Sequence, residues 1–271
     1  MPDLRVGDVK LHYEVQGSGD PLLMVMGLGG SSAGWAPELV TELARSFRTI
    51  IYDNRGTGMS DKPDVPYSLE MFASDGVAIL DALKIERAHV FGVSMGGMIS
   101  QELVLGHGSR VHTLTLGCTT FGGKNAVPPP AESVKLLTAP RDGLSDAEII
   151  RRGWPLAYTP EYIKNHRDEL EAGIPRLLVN ATPAFVFKRH LDATYGLKTY
   201  DRLPQIKVPT LVVTGAKDVL IPARNSEILA ERIPGAKLHI IPDAGHAFFN
   251  EARVEFLKVF VPFAQSHPIG A

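Results

Sequence analysis

The pentapeptide Gly-Val-Ser-Met-Gly at residues 92–96 constrains the fold more than any other feature of this chain. An apolar run, Ala88–Val93, precedes the serine, and a helix-forming run, Met98–Leu105, follows it. Small residues two positions on either side of Ser94 let a strand and a helix pack closely around a strained turn. The pattern predicts that the Ser94 hydroxyl points into solvent beside a helix N-terminus, which favours negative charge. An ordinary glycine-rich turn is the alternative.

Short apolar runs alternate with amphipathic segments along most of the chain. This alternation predicts a mostly parallel sheet with helices on both faces. The predicted strands are an early half-exposed one at Leu11, Tyr13 and Val15, then Leu22–Met26, Phe47–Tyr52, Ala88–Val93, Val111–Leu116, Thr210–Val213 and Lys237–Ile241. The predicted helices are Ala36–Arg45, Leu69–Leu83, Met98–Leu105 and Val254–Ala264.

The alternation stops between about Gly122 and Leu203, where the chain has three consecutive prolines, charged helical segments and no convincing strand. A stretch of this length is too long for an ordinary loop. We predict a helical cap over the carboxyl edge of the sheet, with residues 1–121 and 204–271 forming the core and 122–203 forming the cap. Some aromatic side chains of the cap should line a pocket and most should be core: Trp154, Phe185, Phe187 and Tyr195.

A histidine and an aspartate follow later predicted strands, at positions that can reach the serine. His246 comes just after the last predicted strand, and Asp218 follows Thr210–Val213. A buried carboxylate at that edge would hold the imidazole in one tautomer and stabilise the imidazolium. The alternatives are a surface-loop histidine and an aspartate that caps a helix starting near Ala223. We interpret Asp243, close to His246 in sequence, as a turn residue.

An acyl-transfer enzyme also needs backbone N–H donors for an oxyanion. The sequence predicts two: the N–H of Met95, directly after the serine, and the N–H of Leu28, in the glycine cluster after an early strand. A glycine-rich turn without catalysis would have the same residues. The cluster does not match the dinucleotide-binding Gly-x-Gly-x-x-Gly because Ser32 occupies its last position, and no phosphate-binding loop occurs. Since no metal-ligand spacing is present either, we expect no cofactor and no metal.

Net charge and hydropathy limit the kinds of partner that this protein can bind. The net charge is −2, and the lysines and arginines are scattered, which argues against a nucleic-acid partner. The most apolar segments, Pro21–Met26 and Val208–Val213, are too short to span a bilayer, and the first residues lack the apolar stretch of a signal peptide. We expect a cytoplasmic protein with no membrane partner and with its single cysteine, Cys118, buried and inert. The oligomeric state is left open.

Together these motifs resemble the α/β-hydrolase superfamily, and within it the capped carboxylesterases and 3-oxoadipate enol-lactonases. The segments that carry the resemblance are Met26–Gly30, Tyr52–Asp61, Gly92–Gly97 and the loops of Asp218 and His246. The resemblance implies an eight-stranded, mostly parallel sheet with a helical cap, and a structural rather than catalytic role for Asp53 and Arg55. Many relatives have histidine at the position of Met26, and related epoxide hydrolases and haloalkane dehalogenases have an aspartate nucleophile instead of Ser94.

The residues and the resemblance predict a serine hydrolase that cleaves a small carboxylic ester or lactone. Ser94 would be the nucleophile, His246 the general base and Asp218 the acid that orients the histidine. The Leu28 and Met95 amides would bind the oxyanion. Two alternatives remain: a carbon–carbon bond hydrolase of ring-cleavage products with the same triad, and a ligand-binding receptor that kept the fold without the activity.

Overall fold

A single sheet of eight strands forms the centre of the computed structural model, which describes residues 3–270. The strands are β1 (Asp3–Val6), β2 (Val9–Gln16), β3 (Asp20–Val25), β4 (Phe47–Tyr52), β5 (Ala88–Val93), β6 (Val111–Gly117), β7 (Thr210–Gly215) and β8 (Lys237–Ile241). Their order across the sheet is β1-β2-β4-β3-β5-β6-β7-β8.

The sheet is parallel from β4 to β8, and only β1 and β2 run antiparallel to their neighbours. This confirms the predicted mostly parallel eight-stranded sheet. The interior strands β5 and β7 are buried along their whole length, as their continuous apolar runs require. The sequence prediction missed β1, a four-residue strand whose side chains are only partly covered. It pairs with β2 through a tight turn at the sheet edge.

Helices cover both faces of the sheet, as predicted. The α-helices outside residues 118–209 are α1 (Pro37–Ala44), α2 (Leu69–Ala82), α3 (Met95–Gly106), α9 (Arg224–Arg232), α10 (Phe248–Glu251) and α11 (Arg253–Gln265). Helices α4–α8 lie within residues 118–209. Buried side chains of α2, α3 and α9 form one apolar cluster with the sheet, and those of α1, α10 and α11 form the other. The two clusters pack against opposite faces of the sheet and hold its parallel strands in place. The carboxyl ends of these strands therefore form a rigid edge on which a site can be built.

Five helices lie between β6 and β7, in what we call the helical insertion, residues 118–209. They are α4 (Ala131–Leu137), α5 (Asp146–Ala157), α6 (Pro160–Asn165), α7 (Arg167–Leu178) and α8 (Ala184–Tyr195). Helix α5 begins with a capping box in which Ser145 and Glu148 bond each other's backbone N–H, and Thr159 caps α6. Local signals therefore set where α5 and α6 start.

The aromatic side chains of the insertion correct one expectation. Trp154 is buried core, but Phe185 and Tyr195 are exposed, the latter by 70%. Both lie on α8, whose buried residues are Val186, His190 and Ala193, and they face away from the sheet. Across residues 3–270, none of the helices has the length and apolar character needed to cross a membrane.

Candidate active site

Ser94 lies on a strained turn between β5 and α3. Its φ and ψ are 57° and −123°, and positive φ is uncommon for a residue with a side chain. The flanking glycines make this turn possible: a Cβ on Gly92 would lie 2.2 Å from Gly96 O, and one on Gly96 would lie 2.0 Å from Val25 O. Helix and strand therefore pack more closely than any side chain allows, and the strain is held by the core around it.

The carboxyl ends of β5, β6 and β7 meet behind this turn. The Ser94 N–H donates to Gly117 O at 2.9 Å, and the Cys118 N–H donates to Val213 O at 2.9 Å. Cys118 is fully buried, as predicted, and its burial, together with the nearby Asp218 carboxylate, raises the pKa of its thiol well above the usual value. This thiol is thus protonated and inert.

Asp218 and His246 are brought together at the same edge. The His246 Nδ1 donates to Asp218 Oδ2 at 2.7 Å, and the two side chains are 11% and 0% exposed. The other carboxylate oxygen accepts the N–H groups of Leu220 and Ile221, each at 2.8 Å. Helix α9 is instead preceded by Ala223 without a side-chain cap, so the alternative reading of Asp218 as its N-cap is wrong. The two N–H bonds to Oδ1 orient the Asp218 carboxylate, and Oδ2 is left to accept from His246.

The Ser94 hydroxyl is partly exposed and is not hydrogen-bonded to the His246 ring within residues 3–270. It faces Gly27, because a Cβ on that glycine would lie 3.0 Å from Ser94 Cβ and 3.5 Å from Ser94 Oγ. Catalytic hydrogen bonds are often long in the absence of substrate and shorten in the reacting complex. Because Gly27 has no side chain, the Ser94 side chain has space to rotate about its Cα–Cβ bond.

The N–H groups of Leu28 and Met95 both lack a protein acceptor within residues 3–270. Met95 is the first residue of α3, whose opening N–H groups have no partner in the helix. Leu28 follows Gly27, which packs against Ser94. The two amides predicted for the oxyanion are therefore unpaired: one directly follows Ser94, and the other directly follows Gly27, which packs against Ser94.

Two side chains of the helical insertion hold the residue after Leu28. The Gly29 N–H donates to His190 Nδ1 at 3.4 Å, and Thr182 Oγ1 donates to Gly29 O at 2.8 Å. His190 Nε2–H donates in turn to Arg55 O at 2.9 Å, and burial lowers the pKa of His190 to about 4. The ring is therefore neutral, with one nitrogen donating and the other accepting. Sequence reasoning gave these two residues no role, since no local signal joins positions 150 residues apart.

Glu251 connects the histidine loop to the insertion. One carboxylate oxygen accepts the Gly245 N–H at 2.8 Å, and the other bonds both the N–H and the hydroxyl of Thr159. The Ala247 N–H also donates to Ala157 O at 2.7 Å. Residues on both sides of His246 are thus tied to the end of α5 and the start of α6. The sequence offered no sign of this role for Glu251.

Two cavities open beside these groups. One, of about 190 Å³, is lined by His246 and Leu220 and by side chains of α4, α5 and α8. The other, of about 440 Å³, is lined by Leu28–Ser31 and by the insertion. Arg141, Ile149 and Phe187 line both cavities. Phe187 is thus the one aromatic of the four predicted for the insertion that lies at the site.

Comparison with known proteins shows the family of this chain. Residues 22–259 match the alpha/beta hydrolase family. The chain belongs to this family. It is 31% identical to an Azorhizobium caulinodans protein that carries the name carbamate hydrolase RutD, and the match covers 94% of this chain and 98% of that protein.

Solved structures agree with this assignment. The enol-lactonase from Burkholderia xenovorans superposes with a TM-score of 0.83 at 29% identity, over 97% of this hydrolase and all of that chain. Est816, an N-acyl homoserine lactone degrading enzyme, gives 0.81 at 29% identity with the same coverage. These similarities support hydrolysis as the activity.

The Asp53–Asp61 loop of this hydrolase has the structural role that the resemblance implies. Asp53 accepts the N–H groups of Ser32 and Met59, each at 2.7 Å. Arg55 makes two bonds of 2.6 Å to the buried carboxylate of Asp75. Breaking one partner of such a buried pair is strongly destabilising, because a charge is left without compensation. Both side chains thus secure the loops beneath the site.

Within residues 3–270, histidine, cysteine, aspartate and glutamate side chains form no group of three or more suited to hold a metal ion.

Proposed function

We propose that this hydrolase cleaves a small carboxylic ester or lactone through an acyl-enzyme on Ser94. The observation that carries the proposal is the buried Asp218–His246 hydrogen bond at the strand edge that also presents Ser94. A carboxylate on Nδ1 leaves Nε2 as the basic nitrogen and stabilises the imidazolium. These are the parts of an activated serine nucleophile.

The reaction runs in two halves. His246 takes the Ser94 proton while Oγ forms a bond to the substrate carbonyl carbon, and the Leu28 and Met95 N–H groups bind the resulting oxyanion. The carbon–oxygen bond to the alcohol then breaks, and the imidazolium gives that alcohol its proton. Water, deprotonated by His246, then attacks the acyl carbon, the bond from that carbon to Ser94 Oγ breaks to release the acid, and the imidazolium returns its proton to Oγ. In a lactone the acid and the alcohol leave as one molecule.

Carbamate hydrolysis is the second candidate. Its support is the similarity to proteins that carry the name carbamate hydrolase RutD, at 31% identity over nearly the whole chain. A carbamate presents the same carbonyl to the same nucleophile and oxyanion donors, so the site chemistry accommodates it. For the carbon–carbon hydrolase, the similarity shows the fold alone: a meta-cleavage product hydrolase from Pseudomonas fluorescens superposes with a TM-score of 0.83 at 22% identity. A non-catalytic receptor would leave the buried Asp218–His246 hydrogen bond without a use.

Turnover of a panel of short aryl esters, lactones and carbamates tests the proposal. We expect hydrolysis by the native protein and a loss of kcat on the order of 10⁴–10⁶ in Ser94→Ala with the fold retained. A fluorophosphonate probe should label the native protein and spare the variant. Ester turnover by Ser94→Ala at a near-native rate would refute the proposal.

A further inference from the structure

The smaller cavity at His246 has a charge that the proposed reaction does not use. Its lining is apolar apart from His246 and two arginines, Arg141 and Arg152, and no acidic side chain contributes to it. A cavity of about 190 Å³ with this lining suits a small molecule that is apolar along its length and charged at one end.

The two arginines differ in how their N–H groups are used. Arg152 donates to Pro140 O at 2.6 Å and to Ala139 O at 3.2 Å, so it holds the segment that carries Arg141. The Arg141 guanidinium has neither a hydrogen bond nor a carboxylate within 4.0 Å among residues 3–270, in contrast to Arg151, which Glu171 neutralises. It lies over the Phe187 ring at 3.7 Å instead. Stacking fixes the guanidinium plane and leaves its edge open.

Arg141 is also half-buried, so its donors are not fully served by water. Burial, with Arg152 nearby, lowers the pKa of Arg141, and Asp146 opposes this shift from the larger cavity. The guanidinium remains charged because its ordinary pKa is far above neutrality. A half-buried cation that has no carboxylate within 4.0 Å among the described residues attracts an anionic ligand, although Asp146 offsets part of its charge from further away.

Position connects this cation to the chemistry. Arg141 lines the cavity of His246 and also the cavity of Leu28, whose N–H is proposed to bind the oxyanion. A ligand that spans the small cavity can therefore reach Arg141 with one end and His246 with the other. A planar carboxylate matches the planar guanidinium, which can donate two parallel hydrogen bonds to it.

We propose that Arg141 binds a carboxylate at the end of the substrate remote from the scissile bond, so that the preferred substrates are small esters or lactones of dicarboxylic acids. This inference rests on the proposed function and names the substrate class of the same site. Arg141 acts as a specificity residue: it selects the acyl group and takes no part in bond breaking.

Two methyl esters of equal acyl length separate this inference from the proposed function. Monomethyl glutarate carries the carboxylate, and methyl pentanoate has a methyl group in its place. We expect the native protein to favour monomethyl glutarate in kcat/KM. Arg141→Gln should lower kcat/KM for that ester by about 10- to 100-fold, mostly through KM, and alter methyl pentanoate less than 3-fold. Arg141→Lys should recover part of the loss, because it keeps the charge without the fork.

The matched control is Arg45→Gln, which makes the same change in net charge at a side chain 69% exposed at the end of α1. It should leave the ratio of the two esters unchanged. Equal ratios in the native protein and Arg141→Gln would overturn the inference while leaving ester hydrolysis intact. Fluorophosphonate labelling of Arg141→Gln shows whether the site is still folded.

A binding measurement covers the case in which neither methyl ester is turned over. Glutarate should then protect Ser94 from fluorophosphonate labelling in the native protein at concentrations where pentanoate does not. Arg141→Gln should abolish this protection. Equal protection by the two acids, or by neither, would overturn the inference, whereas absence of labelling in the native protein would contradict the proposed function itself.

Discussion

The two sides of the candidate oxyanion site are held by different kinds of structure. The serine turn, with Met95, is fixed by close backbone packing: β5, α3 and β3 approach so tightly that Gly92 and Gly96 admit no Cβ. The Leu28 loop is fixed by side chains of the helical insertion, His190 and Thr182, which bond Gly29. One side therefore depends on the core, and the other on a segment far along the chain.

The difference teaches how the site combines rigidity with adaptability. Backbone packing inside a sheet is shared by every protein with such a turn and leaves little room for change. The bonds from the insertion come instead from single side chains, so one substitution can remove each of them. The same insertion supplies Arg141 and Phe187 to the cavities, so one segment both lines the cavities and holds Gly29, next to the proposed oxyanion donor Leu28.

The largest expected effect is a loss of turnover at Asp218, which lies on the side of the site that the core holds. We expect Asp218→Asn to lower kcat by a factor on the order of 10³–10⁴, because the amide no longer holds the productive tautomer of His246 or stabilises its cation. Steady-state ester kinetics measure it. Asp243→Asn is the control, since Asp243 lies on the loop of His246 and its side chain is 88% exposed. Comparable losses in both variants would argue against a specific role for Asp218.

A pair of glycines contrasts the regions directly. A Cβ on Gly96 would lie 2.0 Å from Val25 O, and one on Gly173, within α7, would meet nothing within 4 Å. We expect Gly96→Ala to reduce the free energy of unfolding by about 3 kcal/mol or more through overpacking. Gly173→Ala should raise it by about 0.5–1 kcal/mol through helix propensity. Urea denaturation gives both values, and a Gly96→Ala protein as stable as the native one would break the comparison.

Low pH should destabilise both regions through buried neutral histidines. Burial lowers the pKa of His89, in β5, and of His190, in α8, to about 4 each. Below pH 6.5 the unfolded chain therefore binds protons that the folded chain refuses, and stability falls as the pH drops towards 4. At pH 5 each group should lower the free energy of unfolding by about 2 kcal/mol relative to pH 7.

Single variants isolate these contributions. Urea denaturation at pH 7 and pH 5 should show a smaller pH effect in His190→Gln and in His89→Gln than in the native protein. If only the sheet variant reduces the effect, the insertion histidine is not buried in solution.

The smallest effect is expected at the insertion's bond to the Leu28 loop. Thr182→Val removes the donor to Gly29 O and should lower kcat about 3- to 10-fold with little change in KM, since one hydrogen bond contributes about 1 kcal/mol. Thr138→Val is matched, because that hydroxyl bonds only within its own helix end. A change in KM alone would mean that the loop binds substrate rather than the transition state.

Residues near each other in sequence, or following consecutive strands, could be predicted. The Ser94 turn, the Asp218 and His246 loops and the mostly parallel sheet all express local patterns: glycine spacing, apolar runs and the rule that parallel strands end at one edge. The edge strand β1 was missed because four half-exposed residues carry too weak a pattern. The exposure of Phe185 and Tyr195 was missed because helix packing, not hydrophobicity alone, decides which face is covered.

The sequence by itself determined the class of fold and the residues able to form a serine triad, because both follow from local sterics and strand order. Only the tertiary structure decided that Glu251 and Thr159 hold the histidine loop and that His190 and Thr182 hold Gly29. The same is true of Arg141, which lies over Phe187 with no carboxylate within 4.0 Å in the part of the chain that the structure describes. These facts depend on contacts between residues up to 161 positions apart, which no local pattern specifies. The candidate catalytic residues could be predicted from the sequence, and the side chains that surround and hold them were decided by packing.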